Sequence, residues 1–117
     1  MDYQITALTV KEFWVFGKVN QCTFQAKVYD KPSRFKYGIN NGRVSKLYAQ
    51  DKVTKDVLFD YDRGWNKIPG TTEDKELLNA LLLFLEDLPD HRVWQFSFRR
   101  PKRFLVTDGE VLDFEDQ

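Results

Sequence analysis

The chain has 117 residues, of which 42% are hydrophobic and 15% aromatic, and its 18 basic side chains equal its 18 acidic ones in number. This composition excludes an intrinsically disordered protein, a uniformly basic nucleic-acid coat and an acidic tail protein. The longest run without a charge covers nine residues, 77–85, whereas a membrane-spanning helix needs about 20, so we expect no membrane segment.

The neutral total comes from four blocks of alternating charge along the chain. Residues 1–58 contain ten basic and five acidic side chains, and residues 59–90 contain three and eight. Residues 91–103 contain five basic and no acidic side chains, and residues 104–117 contain none and five. Overall neutrality is therefore compatible with strongly basic local surfaces.

The content of metal-binding and thiol groups is low. Cys22 is the only cysteine and His91 the only histidine, which excludes an intrachain disulfide and a zinc cage of Cys and His ligands. A signal peptide would have basic residues near its start, but residue 2 is Asp, so we expect no signal peptide. We therefore expect a cytoplasmic protein of bacterial or viral origin that holds no metal and no cofactor.

Residues 12–29 predict a hairpin of two strands with its turn at residues 20–21. The second strand alternates apolar and polar side chains, which is typical of a sheet with one buried face. In the first strand Trp14 and Phe16 lie opposite the buried valines, so we expect this strand to be covered on both sides or to lie against a partner. The buried positions of the second strand are Phe24, Ala26 and Val28.

A loop is predicted over residues 30–42, where Pro, Ser, Gly and Asn cluster. The Asn41-Gly42 turn signal at its end favours positive φ. Further strands follow at residues 43–51 and 57–62, and a second loop occupies residues 63–70.

One helix is predicted over residues 73–88, with Thr71 or Thr72 as its N-cap and Pro89 as its stop. Its first turns are acidic, which suits the positive end of the helix dipole. At about 100° per residue its apolar side chains form one wide arc, from which only Leu83 departs. This helix is therefore expected to lie across the sheet as part of the core.

After the helix, residues 92–98 are predicted as a strand and residues 104–114 as a hairpin around Asp108-Gly109. The element order predicts an α+β domain: a mainly antiparallel sheet of about five to seven strands packed against one amphipathic helix, with a C-terminal β-hairpin. We expect a single domain over residues 1–117, because repeats and flexible linkers are absent. Residues 1–90 would form its core, and residues 91–117 an extension.

Few residues are candidates for catalysis. Asp60 and Asp62 share one strand face, as metal binding requires, although a solvated face with Asp62 paired to Arg63 or a lysine is the stronger interpretation. Cys22 and His91 are the available residues for a nucleophilic Cys–His pair, but no motif surrounds them. We therefore expect a non-enzymatic protein. The alternative is a small metal-dependent hydrolase that uses Asp60, Asp62 or His91.

The densest basic cluster is flanked by three phenylalanines. Interleaved cations and rings suit single-stranded nucleic acid, whose phosphates pair with the cations and whose bases stack on the rings. The alternatives are an acidic protein surface, pairing with the chain's own acidic tail, and a solvated connection with buried rings. The basic cluster comprises Arg99, Arg100, Lys102 and Arg103, and the rings are Phe96, Phe98 and Phe104.

A second basic zone lies in the predicted sheet. Lys27 shares the outer face of its strand with Tyr29, and Lys46 shares a face with Tyr48. Such a surface is either an ordinary solvated sheet face or a protein interface. The cations of this zone are Lys27, Lys31, Arg34, Lys36, Arg43 and Lys46.

A set of short strings spans residues 13–85: Trp14-Val15, Gly17-Lys18-Val19, Phe24, Ala26-Lys27-Val28, Ser33, Gly38-Ile39, Gly42-Arg43-Val44-Ser45-Lys46-Leu47 and Tyr61-Asp62-Arg63-Gly64-Trp65. Together they resemble a family of small uncharacterised proteins from bacteria, phages and mobile elements, a domain of unknown function. The resemblance implies no catalytic residues. We interpret the residues after this matching region, including the basic cluster, as an addition to the family domain.

We hypothesise that the chain is a small binding protein, encoded by a phage or mobile element, that binds and inhibits or modulates a host protein. An anti-defence inhibitor such as an anti-CRISPR protein is its most concrete version, and this context comes from the resemblance. The alternative is a nucleic-acid-binding accessory protein that uses the basic cluster. The partner would be a host protein, alone or in a nucleoprotein complex, contacted through Arg63, Trp65, Arg99, Arg100, Lys102 and Arg103.

Overall fold

The computed structural model describes residues 3–93, 102–107 and 110–115. Across these residues one sheet of eight antiparallel strands carries a single long helix on one face. This architecture confirms the predicted α+β class. The strands are β1 (Tyr3–Lys11), β2 (Trp14–Val19), β3 (Cys22–Val28), β4 (Val44–Asp51), β5 (Val57–Asp62), β6 (Trp65–Lys67), β7 (Lys102–Thr107) and β8 (Glu110–Glu115), and the helix is α1 (Thr72–Glu86).

The strands from β1 to β6 form a meander, since each pairs with the next along the chain. After α1 the chain returns to the other side of β1, so the spatial order is β6-β5-β4-β3-β2-β1-β7-β8. The predicted C-terminal hairpin is present as β7 paired with β8, although its Asp108-Gly109 turn lies outside the described residues. Of the strand predicted at residues 92–98, Arg92 and Val93 are helical and the rest also lies outside them.

The hairpin of β2 and β3 confirms the prediction from alternation. Val19 pairs with Cys22 across the turn, where Asn20 takes a φ of 50° and its side chain accepts a hydrogen bond from the Gln4 amide at 2.9 Å. At the start of β4 the positive φ predicted for Asn41 is present, at 60°. The prediction for Gly42 is wrong, because its φ is −91°.

The helix begins where the capping signal placed it. Thr71 Oγ1 accepts a hydrogen bond from the Asp74 amide at 3.0 Å, and the helix ends at Glu86, two residues before the predicted end. Leu83 is 40% exposed, as its departure from the apolar arc predicted. No helix within the described part of the chain has the length and apolar character needed to span a membrane.

The core lies between α1 and the face of the sheet that it covers. Phe84 packs against Phe104 of β7, with ring centroids 4.5 Å apart. Phe104 is only 9% exposed, so it belongs to the core. The other buried residues come mainly from alternate positions of β1 to β5 and from the inner face of the helix, where Leu77, Ala80, Leu81, Phe84 and Leu85 are buried.

Candidate functional site

The face of the sheet opposite α1 is not covered by another element of the described chain. Its side chains are half-buried or exposed, in contrast to the fully buried residues beneath the helix. We call this surface the open face. From the cross-strand register it comprises Thr6, Lys11, Trp14, Phe16, Lys18, Thr23, Gln25, Lys27, Lys46, Tyr48, Gln50, Asp60, Asp62, Lys67 and Arg103.

One cross-strand row of the open face places two cations beside one aromatic ring. Trp14 pairs with Lys27, Lys27 pairs with Lys46, and Lys46 pairs with Asp62. The Nζ atoms of Lys27 and Lys46 lie 5.6 and 5.7 Å from the centroid of the Trp14 ring. Phe16 stacks beside Trp14 at 5.9 Å with an interplanar angle of 17°. The row thus presents half-buried rings with ammonium groups held above them, a cation–π arrangement.

Charge is separated between the two sides of the sheet. The open face has six basic and two acidic side chains, a net of +4. Helix α1 has four acidic residues and one lysine, a net of −3. Within the described residues the open face is therefore basic and the helix layer acidic, and the two sides attract opposite partners.

A cleft of about 810 Å³ opens at the corner of the open face where β3 ends and β4 begins. It includes Lys27 and Lys46 of the row, and the turn between β5 and β6 adds Arg63. The remaining walls come from the loop after β3 and from the segment after α1. The lining residues are Phe13, Lys27, Tyr29, Asp30, Lys31, Ser33, Tyr37, Ser45, Lys46, Arg63, Asp90 and Arg92.

At one end of the cleft His91 is held by two carboxylates. Its Nδ1 lies 2.6 Å from Asp30 Oδ2 and 3.6 Å from Asp90 Oδ1, and its ring packs on Phe13 at 4.4 Å. The three side chains are close enough to hold a metal ion. Both carboxylates, however, already accept main-chain hydrogen bonds: Asp30 from His91 and Asp90 from Arg92. This arrangement docks the segment after the helix onto the end of β3.

Arg92 also sets the ionisation of this group. Its side chain and amide donate to Asp90, and these hydrogen bonds lower the pKa of the Asp90 carboxyl to about 2. Asp90 therefore stays ionised and bound to Arg92 near neutral pH.

Asp60 and Asp62 share the open face as predicted, whereas the Cys–His pair considered from the sequence is not assembled. Cys22 is at the start of β3 and His91 contacts Asp30 just beyond its end, a separation along the strand of roughly 27 Å at about 3.4 Å per residue. Burial raises the pKa of the Cys22 thiol, which opposes nucleophilic activation. Asp62 pairs with Lys46 and with Arg63, at 3.6 and 3.5 Å, as the stronger interpretation predicted.

The predicted contact residues whose side chains the structure describes, Arg63, Trp65 and Arg103, lie on different parts of the sheet. Arg63 lines the cleft, whereas Trp65 of edge strand β6 packs edge-on against Tyr61 on the helix side. Arg103 is exposed on the open face beside Thr6, and β7 lies at the opposite side of the sheet from β6. The backbone of Lys102 pairs with Ala7. Arg99 and Arg100 lie outside the described residues.

Arg43 has a structural role that its place in the basic zone did not indicate. Its guanidinium donates to the carbonyls of Tyr29, Glu86 and Leu88, at 2.8, 2.9 and 2.6 Å. In return the Glu86 carboxylate accepts the amides of Arg43 and Val44. Gly42 permits this approach, because a Cβ there would lie 2.3 Å from Glu86 Oε1. Arg43 thus fastens the end of the helix to β4 and is not available to a partner.

The comparisons with known proteins give one match. No curated protein and no solved structure matches the chain. A family model described as a domain of unknown function, DUF7678, matches residues 13–86, which include β2 to β6, α1 and most of the cleft. The match confirms the resemblance to a small uncharacterised family. The chain belongs to the DUF7678 family, and residues 13–86 are its family domain.

Proposed function

We propose that this protein is a non-enzymatic binding protein that holds single-stranded nucleic acid on its open face. The observation that supports this most is the row of Trp14, Lys27 and Lys46, in which ammonium groups and a half-buried ring lie side by side. The proposal moves the nucleic-acid site expected at the basic cluster to the centre of the sheet. Arg103 extends the same face towards β7.

The chemistry of the face suits a single strand better than a duplex. Lysine ammonium groups neutralise phosphates without regard to sequence, and this neutralisation releases counterions. Aromatic side chains stack on bases, which are accessible only when they are not paired and stacked in a duplex. Phe16 and Tyr48 lie next to the row on β2 and β4, so successive bases have more than one ring to contact.

Fluorescence anisotropy of a labelled oligothymidylate tests this proposal. If the row and its neighbours engage three phosphates, the slope of log affinity against log salt is about −2, since each contact contributes about −0.7. Lys27→Ala and Lys46→Ala should each weaken binding and make the slope shallower by about 0.7. Lys75→Ala on the acidic helix serves as the matched control and should change neither quantity. A flat salt response, or no binding at low salt, would contradict the proposal.

A second candidate is a protein partner, as the sequence hypothesis had it. It is favoured by Trp65, which is 40% exposed on the edge strand, and by Arg63, whose side chain is 63% exposed at the adjoining turn. Tryptophan and arginine are the residues that most often anchor protein interfaces. In this version the chain is encoded by a phage or mobile element and inhibits a host protein, for example as an anti-CRISPR protein.

Affinity capture from a host lysate, with and without nuclease, separates the two candidates. A partner that survives nuclease treatment and is lost on Trp65→Ala with Arg63→Gln supports the protein interface. Loss of all captured material on nuclease treatment supports the nucleic-acid proposal. Both candidates place the protein in the cytoplasm, where the free thiol of Cys22 fits a reducing compartment.

A further inference from the structure

The cleft at the corner of the open face has the size and walls of a ligand site. Its volume of about 810 Å³ falls within the range of about 300–1,000 Å³ that is usual for small-molecule sites. Tyr37 supplies an exposed ring, whereas the ring of Tyr29 packs against Phe13 at 5.1 Å and has the Lys27 ammonium 5.3 Å from its centroid. A planar ring system therefore has the flat surface of Tyr37 in the cleft on which to stack.

The cleft also has an excess of positive charge. Five basic residues line it against two acidic ones. Of these two, Asp30 is engaged by His91 and Asp90 by Arg92. Lys46 and Arg63 share a single carboxylate, that of Asp62. Lys27 and Lys31 form no ion pair with any carboxylate of the described chain. An anionic ligand would supply the missing negative charge.

The arrangement of the cations selects the form of the anion. They approach from β3, β4, the turn after β5 and the loop after β3, so they surround a common space instead of following a line. A terminal phosphate has three oxygens and a charge of about −1.5 to −2 near neutral pH, which suits such a convergent set. A phosphodiester in the middle of a strand carries one charge and suits the open row instead.

We propose that this cleft binds a nucleotide phosphomonoester, with the base stacked on Tyr37 and the phosphate held by Lys31, Arg63 and Lys46. The inference deepens the proposed function and rests on it, because the phosphate would belong to the phosphorylated end of a bound single strand. The cleft shares Lys27 and Lys46 with the row, so the phosphorylated end of a strand that follows the row can enter the cleft.

Isothermal titration with thymidine monophosphate and with inorganic phosphate tests the cleft directly. The nucleotide should bind at least about tenfold more tightly than phosphate alone, because the base adds stacking. Lys31→Gln and Arg63→Gln should each weaken nucleotide binding by about tenfold. Lys75→Gln, which removes a cation of α1 outside both the cleft and the open face, is the control and should leave nucleotide binding unchanged. Equal binding of nucleotide and phosphate, or equal effects of all three variants, would overturn the proposal.

Oligothymidylates with a 5′-phosphate, a 3′-phosphate or hydroxyl ends separate this inference from the proposed function. Preferential binding of one phosphorylated end, lost in Lys31→Gln, supports both. If the hydroxyl-ended strand binds equally well and the mononucleotide does not bind, the cleft inference fails and the proposed function stands. If the mononucleotide binds and none of the strands does, the proposed function fails and the cleft is a site for free nucleotides.

Discussion

Replacing Arg43 by alanine tests how much of the attachment of the helix end to the sheet depends on the Arg43 side chain. Three carbonyls lose a charged donor that lies 2.6–2.9 Å away. A hydrogen bond to a charged group contributes about 1.5–3 kcal/mol net. Two of the three carbonyls belong to Glu86 at the end of α1 and to Leu88 two residues later, where a cation also offsets the helix dipole by about 0.3–1 kcal/mol.

The individual contributions do not add fully, because Arg43 is only half-buried and water can reach the carbonyls after truncation. We therefore expect Arg43→Ala to lower the free energy of unfolding by about 3 kcal/mol, and the Tm by roughly 10 °C for a domain of this size. Arg43→Lys should recover less than half of the loss, since one ammonium group cannot reach all the carbonyls that surround the edge of the guanidinium group.

Urea unfolding, followed by circular dichroism, measures this difference. Arg34→Ala is the matched control, because Arg34 contacts the exposed ring of Phe35 at 4.8 Å and lies away from the helix. It should change stability by no more than about 0.5 kcal/mol. A loss for Arg43→Ala as small as that of Arg34→Ala would refute the assignment of Arg43 as the fastening residue.

Three further predictions concern the helix, the core and the segment after the helix. Thr71→Ala should lower the free energy of unfolding, measured in urea, by about 1 kcal/mol, because the Asp74 amide loses its hydrogen-bond acceptor. An unchanged free energy of unfolding would show that water replaces the cap at no cost. Phe84→Ala should lower the free energy of unfolding by about 3–5 kcal/mol in the same assay, because the Phe84 ring is buried against Phe104. A decrease below about 1 kcal/mol would mean that the surrounding side chains fill the cavity. The pKa of Asp90 is lowered from 3.8 to about 2 by Arg92, so its contribution is present above pH 4 and is lost as the pH falls towards 2. Asp90→Asn should therefore flatten the fall in Tm over this interval, and an unchanged pH profile would contradict the Asp90–Arg92 interaction.

Local patterns predicted the elements whose partners are adjacent in the chain. The alternation in residues 22–28 and 57–62 and the capping signal at Thr71 each depend on short-range spacing, and β3, β5 and α1 formed where they were expected. Strand β1 was missed although Tyr3, Ile5 and Ala7 alternate with polar residues. Its central position depends on pairing with β7, almost a hundred residues away, which no local pattern reports.

The candidate site was predicted only in part for the same reason. The sequence correctly placed Lys27 with Tyr29 and Lys46 with Tyr48, because residues two apart in a strand share a face. The row that joins Trp14 to Lys27 and Lys46 depends on the register of three strands, which turn geometry and packing fix. Arg43 carries the same charge as its neighbours in the basic zone, so the sequence does not distinguish it from them. Only the position of the helix end shows that its guanidinium binds main-chain carbonyls of the fold.

Amide chemical shifts recorded during titration with an oligothymidylate report which face of the sheet a single strand contacts. We expect shifts at the Trp14 indole and at the amides of Lys27, Lys46 and Tyr48, with α1 unaffected. Shifts confined to the β6 edge around Trp65, shifts on the helix, or none with the strand in large excess would contradict this expectation.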